Sequence, residues 1–156
     1  MGGGVAGMSV SPPGERDPRG ILAEARTIAV VGLSSDPTRP SHDVAAYLQR
    51  AGYRIVPVNP NETEVLGEPA YPSLLGVDVE QRVDVVDVFR RAEHTPAVAR
   101  DAVRIGAGML WLQQGIVSEE ARSIAEAGGL VVVMDACIRT VHRMWADRRQ
   151  EGEDPR

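Results

Sequence analysis

Two kinds of segment alternate along the chain. Short, almost continuous apolar runs at 27–32, 53–58, 83–88, 108–112 and 130–134 are rich in Val, Ile and Leu, the pattern of strands buried on both faces. Between them, 41–51, 95–105, 118–127 and 136–149 carry apolar positions at helical spacing. This order predicts an α/β, Rossmann-like domain: a five-stranded parallel sheet with helices on both faces.

The helix ends have local signals. Ser41 follows Pro40 and precedes Val44, Ala45 and Leu48 on one stripe, and Gly52 stands just past Ala51 as a stop. Thr95 is placed to cap a helix whose first position is Pro96. Ser118 with Glu119 and Glu120 opens the next helix at the positive end of its dipole, and Asp135 is placed to cap the last. Pro69 and Pro72 make 67–75 a loop with at most a short helical turn at Pro72 to Leu75.

The remaining segments set the boundaries. Residues 1–19 are rich in Gly, Pro and Ser and are expected to form a disordered tail; 20–150 form one domain; 151–156 fray. The 156 residues include 43% hydrophobic ones without any run near the ~18 apolar residues that suggest a membrane span. A net charge of −5 argues against a nucleic-acid groove, so an anionic ligand would be held by helix N-termini and a few placed arginines. Cys137 is the only cysteine, which allows no intrachain disulfide and fits a reducing cytoplasm. The start of the chain lacks a signal-peptide pattern, and Ala6 stands where a myristoylation motif has Ser or Thr.

Candidate chemistry gathers at the strand ends. After the first strand the chain reads Gly32-Leu33-Ser34-Ser35-Asp36-Pro37-Thr38-Arg39-Pro40-Ser41, too long and too poor in glycine for the usual dinucleotide fingerprint. It still offers hydroxyls at Ser34, Ser35 and Ser41, the Arg39 guanidinium, and N–H groups opening a helix, all suited to phosphate. A plain capped helix with a polar loop would use the same residues. At the end of the second strand, in Pro57-Val58-Asn59-Pro60, Asn59 stands where an NAD-binding chain has a ribose-binding acid, so a ribose carrying an extra phosphate is not repelled. The third strand ends in Phe89-Arg90-Arg91 and the fourth in Trp111-Leu112-Gln113-Gln114-Gly115, where the arginines suit phosphate, Gly115 permits close backbone approach and Trp111 is expected in the core. Cys137 is expected as a small buried residue rather than a reactive thiol, and Asp135, Cys137 and His142 lack a zinc spacing.

Five motifs, Val30-Val31-Gly32-Leu33-Ser34, Val56-Pro57-Val58-Asn59-Pro60-Asn61, Asp87-Val88-Phe89-Arg90, Trp111-Leu112-Gln113-Gln114-Gly115-Ile116 and Met134-Asp135-Ala136-Cys137-Ile138, resemble in order and spacing those of small bacterial and archaeal coenzyme A-binding domain proteins. These look like a free-standing copy of the nucleotide-binding domain of the succinyl-CoA synthetase alpha subunit. The resemblance runs from Thr27 to His142. It implies coenzyme A as cofactor, its diphosphate on Gly32, Ser34 and the start of the helix at Ser41, and its adenosine and 3′-phosphate near Pro57, Asn59 and Pro60; Leu33, Ser35, Arg39 and Pro40 of the same loop are further candidate cofactor-binding residues. Phe89, Arg90, Gln114 and Gly115 would line the pantetheine arm. The chain departs from the pattern at Ala136 and Val141, where members carry an arginine and a glutamate.

No catalytic set is visible, and the synthetase's phosphohistidine domain has no counterpart here. The expected function is therefore binding of coenzyme A or an acyl-CoA without catalysis by the single chain. The partner is that small molecule, with no nucleic acid and no membrane, and a homo-oligomer is left open. Two alternatives stand beside it: an NAD(P)-dependent oxidoreductase, for which Arg39 and Arg54 would accommodate NADP, and a regulatory or structural subunit with a vestigial nucleotide site. The latter would dock through Ile138, Val141 and Trp145, unless that stripe closes the domain's own sheet.

Overall fold

The computed structural model describes residues 7–10, 17–78 and 80–152. The strands are β1 (Ser9–Val10), β2 (Thr27–Val31), β3 (Arg54–Val58), β4 (Glu64–Val65), β5 (Glu68–Pro69), β6 (Val85–Val88), β7 (Met109–Leu112) and β8 (Val131–Met134). The helices are α1 (Pro18–Glu24), α2 (Pro40–Arg50), α3 (Thr95–Arg104), α4 (Glu119–Ala127) and α5 (Ile138–Gly152). The main sheet runs β1-β8-β7-β6-β2-β3, with every neighbouring pair parallel except β1 with β8.

Strand alternation sorts the core into two layers. Ala29, Val31, Val86, Val88, Leu110 and Leu112 face α3 and α4, where Ala99, Ala102, Ala121 and Ala125 permit close approach of helix to sheet. Ile28, Val30, Val85, Met109, Trp111 and Val133 face α1, α2 and α5, meeting Leu22, Leu48, Ile138 and Val141. The Ile138 and Val141 stripe thus closes this domain's own sheet, and Trp145 packs edge-on against Trp111 at 6.4 Å. Trp111 is fully buried, and its indole N–H donates to the Ala136 carbonyl at 2.8 Å.

The parallel strands and long helices match the periodicity, and the differences lie where local signals compete with tertiary packing. The sheet has a sixth strand, β1, in the stretch expected to be a loose tail. Ser9 and Val10 pair antiparallel with Met134 and Val133, Met8 and Val10 pack on the core, and Arg122 donates to Ser9 Oγ. Capping the free edge of β8 outweighs the flexible composition around these two residues. Pro18, Arg19 and Gly20 are likewise helical, with Asp17 accepting the Gly20 N–H at 2.8 Å. The rest of the expected tail, 1–6 and 11–16, lies outside the described residues. At the other end, α5 runs to Gly152, two residues into the stretch expected to fray, and 153–156 lie outside the description.

Three capping expectations are corrected. Arg39 and not Ser41 precedes α2, with Pro40 first in the helix. Thr95 is already helical and its hydroxyl donates to the Ala92 carbonyl at 2.7 Å. Asp135 sits in the left-handed region at φ 60° and caps no helix; its carboxylate accepts the Gly115 N–H at 2.7 Å. The expected loop at 67–75 contains β5 of a small hairpin turning at Leu66 and Gly67, both at positive φ, and a single helical turn at Leu74–Gly76. Ser118 does cap α4, accepting from the Ala121 N–H at 3.1 Å. No described helix is long and apolar enough to cross a membrane.

Candidate functional site

Strands β2 and β6 are neighbours, yet the chain leaves β2 for β3 on one side and β6 for β7 on the other. Such a reversal opens a crevice beyond the carboxyl ends of the strands, the place where open α/β sheets hold ligands. A cleft of about 1080 Å³ lies there. It is bounded by residues 37–40, 43 and 44 around the start of α2, 89–92 after β6, 113–116 after β7, and Cys137 and Arg139 at α5. A smaller hollow of about 360 Å³ opens at the opposite edge, beside Asp84, whose carboxylate is already engaged by the N–H groups of Arg26 and Thr27.

Gly32 turns the chain out of β2 at φ 90°, and its N–H donates to the Val58 carbonyl at 2.8 Å. Leu33 then drops into the core, fully buried. The amides that follow are satisfied internally: Ser34 N–H donates to Ser41 Oγ at 3.1 Å and Asp36 N–H to Ser34 Oγ at 3.0 Å. The Ser35 N–H and hydroxyl both donate to the Glu62 carboxylate, at 2.9 and 3.0 Å. Asp36 turns back on Thr38, whose N–H and then hydroxyl hold its carboxyl below the usual range, with Arg39 adding to the effect. Arg39 and Pro40 are exposed and line the cleft, whereas Ser41 is buried against the loop.

The second corner is tied to the first. Asn59 Nδ2 donates to the Leu33 carbonyl at 3.0 Å, while Asn59 Oδ1 accepts from the Asn61 N–H at 2.9 Å. Pro57 lies within β3 opposite Val30 and is buried, so it supports the corner without lining the cleft. Pro60 is exposed beside it. Arg54 stands at the start of β3, with its N–H on the Arg26 carbonyl, so it lies at the sheet edge opposite the cleft and away from any 2′-phosphate held there.

Phe89, Arg90, Gln114 and Gly115 all line the cleft, as their strand-end positions suggest. Gly115 is at φ 86°, and its N–H is taken by Asp135. The structure adds residues that the strand-end motifs did not single out. Arg139 reaches the cleft from α5 and pairs with Asp43 of α2. Cys137, expected to be buried, is half-buried on the cleft wall because it lies just before α5, where the backbone leaves the sheet. Gln113 is 4% exposed on the cleft floor and bonds Asp87 beneath it. Asp87 is fully buried, and this desolvation raises its pKa to about 8 against the opposing effect of Gln113. Its place inside an apolar run was the available signal: a lone carboxylate in a strand buried on both faces has no route to water.

Residues 26–143 match the model of the CoA binding domain family. The uncharacterized protein YneT of Bacillus subtilis is 44% identical over 130 residues, 83% of this chain and 95% of that protein. The solved structure of cell-free ID.343 from Thermus thermophilus has a TM-score of 0.77 and 38% identity, covering 81% of this chain and 95% of that one. An ADP-forming acetate–CoA ligase of Archaeoglobus fulgidus is 31% identical over 104 residues, 65% of this chain but 15% of the ligase. The chain belongs to the CoA binding domain family.

Proposed function

We propose that this chain, as a member of that family, binds coenzyme A or an acyl derivative in the cleft between the ends of β2 and β6 and performs no chemistry on it as a single chain. One observation carries the reading. In a protein of net charge −5 this cleft gathers Arg39, Arg90, Arg91 and Arg139 against the single acid Asp43. Among the described residues no carboxylate holds Arg90 or Arg91. Arg90 and Arg91, converging on a concave surface with Arg39, which meets Asp36 at 4.0 Å, and Arg139, which meets Asp43, suit a polyphosphate, because each guanidinium presents a fork of donors to phosphate oxygens.

The residues present fit the cofactor's parts. The diphosphate lies against the turn at Gly32 to Ser35, with Arg39 and Arg90 above it and Pro40 and Ser41 opening the helix beside it. The adenosine with its 3′-phosphate lies towards Asn59 and Pro60, where no ribose-binding acid stands. The pantetheine arm runs past Phe89 to Gln114 and Gly115. Binding requires the ligand to replace Glu62 on the Ser35 N–H, since that carboxylate stands where an anion would be held. The expected likeness to the succinyl-CoA synthetase alpha subunit fits the same placement.

Calorimetric titration of the full chain with coenzyme A, dephospho-coenzyme A and NADP tests this. Coenzyme A is expected to bind, dephospho-coenzyme A more weakly, and NADP not to compete. A ligand at 100 times its dissociation constant adds about 2.7 kcal/mol to stability, so an unchanged melting temperature at millimolar coenzyme A would overturn the assignment.

A further inference from the structure

The cleft floor contains a pair of polar side chains inside an apolar layer. Asp87 in β6 sits between Val30 of β2 and Trp111 of β7, and Gln113 is two residues beyond Trp111 on the same face. Asp87 is 0% exposed; its Oδ1 accepts from Gln113 Nε2, and its Oδ2 meets no partner among the described residues. A buried carboxyl oxygen without a partner is costly when charged and much less so when protonated.

Among the described residues no cation pairs with Asp87. From α2 the packed residues are Val44 and Ala45, from α5 Ile138 and Val141, and from β8 Val133. The charged groups of these elements lie in the cleft above: Arg39 and Asp43 around the start of α2, Arg90 and Arg91 after β6, and Arg139 beside Cys137 at α5. Between α2 and α5, His142 and Tyr47 engage each other at 2.7 Å, and the Arg143 guanidinium lies over the Tyr47 ring. Desolvation therefore outweighs the hydrogen bond from Gln113 and raises the Asp87 pKa to about 8.

A carboxamide has a donor end and an acceptor end of almost equal size, and the group it pairs with decides which end faces away. Resting on the reading that this cleft holds coenzyme A, we propose that Asp87 and Gln113 form a proton-coupled donor switch in its floor. The orientation in the structure, Nε2 on Asp87, is the one an ionised Asp87 holds, with Oε1 left to the ligand; neutral Asp87 donates its O–H to Gln113 Oε1, so the amide turns over and presents Nε2 to an acceptor oxygen of the ligand, a carbonyl or phosphate oxygen. Asp87 is thus a positioning residue acting through Gln113. Above its pKa, ligand binding draws one proton from solvent.

The test is calorimetry of the full chain with a thioether analogue of coenzyme A, which has no titrating thiol, from about pH 7.5 to about pH 9.5. Affinity is expected to fall by about tenfold per pH unit above the Asp87 pKa, with proton uptake approaching one per ligand in buffers of different ionisation enthalpy. Asp87→Asn, whose amide N–H donates to Gln113 Oε1 at every pH, is expected to flatten the profile and bind more tightly than the wild type at the alkaline end. A decline that persists in Asp87→Asn, or a flat wild-type profile without proton uptake, overturns the switch while leaving coenzyme A binding in place. Absence of binding at every pH overturns the assigned ligand and the switch together. The wild-type proton uptake decides the matter even if the variant does not fold.

Discussion

A Cβ atom built on Gly32 would lie 2.5 Å from the carbonyl oxygen of Phe89. The exits of β2 and β6 therefore meet so closely that no side chain fits between Gly32 and the Phe89 backbone. Gly32 also sits at φ 90°, where side chains are strained. Gly32→Ala is expected to destabilise the fold by about 2 kcal/mol or more and to weaken coenzyme A binding. Chemical denaturation with a parallel titration checks both; a variant with native stability would show that the strand exits separate freely.

Under the proposed function, Glu62 makes the hydrogen bonds that an anion on the loop would make. Its carboxylate holds both donors of Ser35, so removing it should leave an anion site without an internal competitor. Glu62→Gln and Glu62→Ala are expected to bind coenzyme A severalfold more tightly than the wild type in calorimetric titration. Weaker binding in both would mean that Glu62 shapes the loop for the ligand and does not stand in for it.

Arg90 is expected to contribute through charge. Its Cδ lies 3.2 Å from the position of a Cβ on Gly32, so its stem covers the turn as its guanidinium enters the cleft. Arg90→Ala should lower coenzyme A affinity by tenfold or more, on the order of the 1.5–3 kcal/mol of a charge-assisted hydrogen bond. Arg90→Lys should recover part of it, because the ammonium keeps the charge without the fork. A salt titration that weakens wild-type binding more steeply than Arg90→Ala would confirm the electrostatic origin.

Asp87 also sets a pH dependence of stability. Its pKa is raised to about 8 in the fold, while an unfolded aspartate titrates near ~4. Between those values the native state holds one more proton than the unfolded chain, so stability falls as pH rises, by up to about 1.4 kcal/mol per unit, and levels off above the folded pKa. Asp87→Asn is expected to remove that slope, giving a stability advantage over wild type that vanishes towards about pH 4, grows with pH and reaches a plateau above about pH 8. Urea unfolding across this range checks it; parallel curves for the two proteins would show that burial does not hold the proton.

The order of strands and helices was legible in the chain because it depends on residues close in sequence. A run such as Thr27–Val31, buried at every position, and a stripe such as Val44, Ala45 and Leu48 each declare themselves through local periodicity. The turn itself was legible for the same reason, since Gly32 and the serines after it are contiguous. The fate of the turn's amides was not. Glu62 lies 27 residues beyond Ser35 and meets it only because β3 returns alongside β2.

By itself, the sequence determined the alternating α/β order, the crossings that make the sheet parallel, and the glycine and polar residues at the strand ends. Tertiary structure decided which of those ends share a cleft, that Arg139 and Cys137 join it from α5, that Ser9 and Val10 cap the edge of β8, and that Asp87 is closed off from water. The physical reason is one of range: periodicity and turn chemistry act over a few neighbouring residues, whereas strand order brings distant segments together and sets the solvent and charge that each side chain meets.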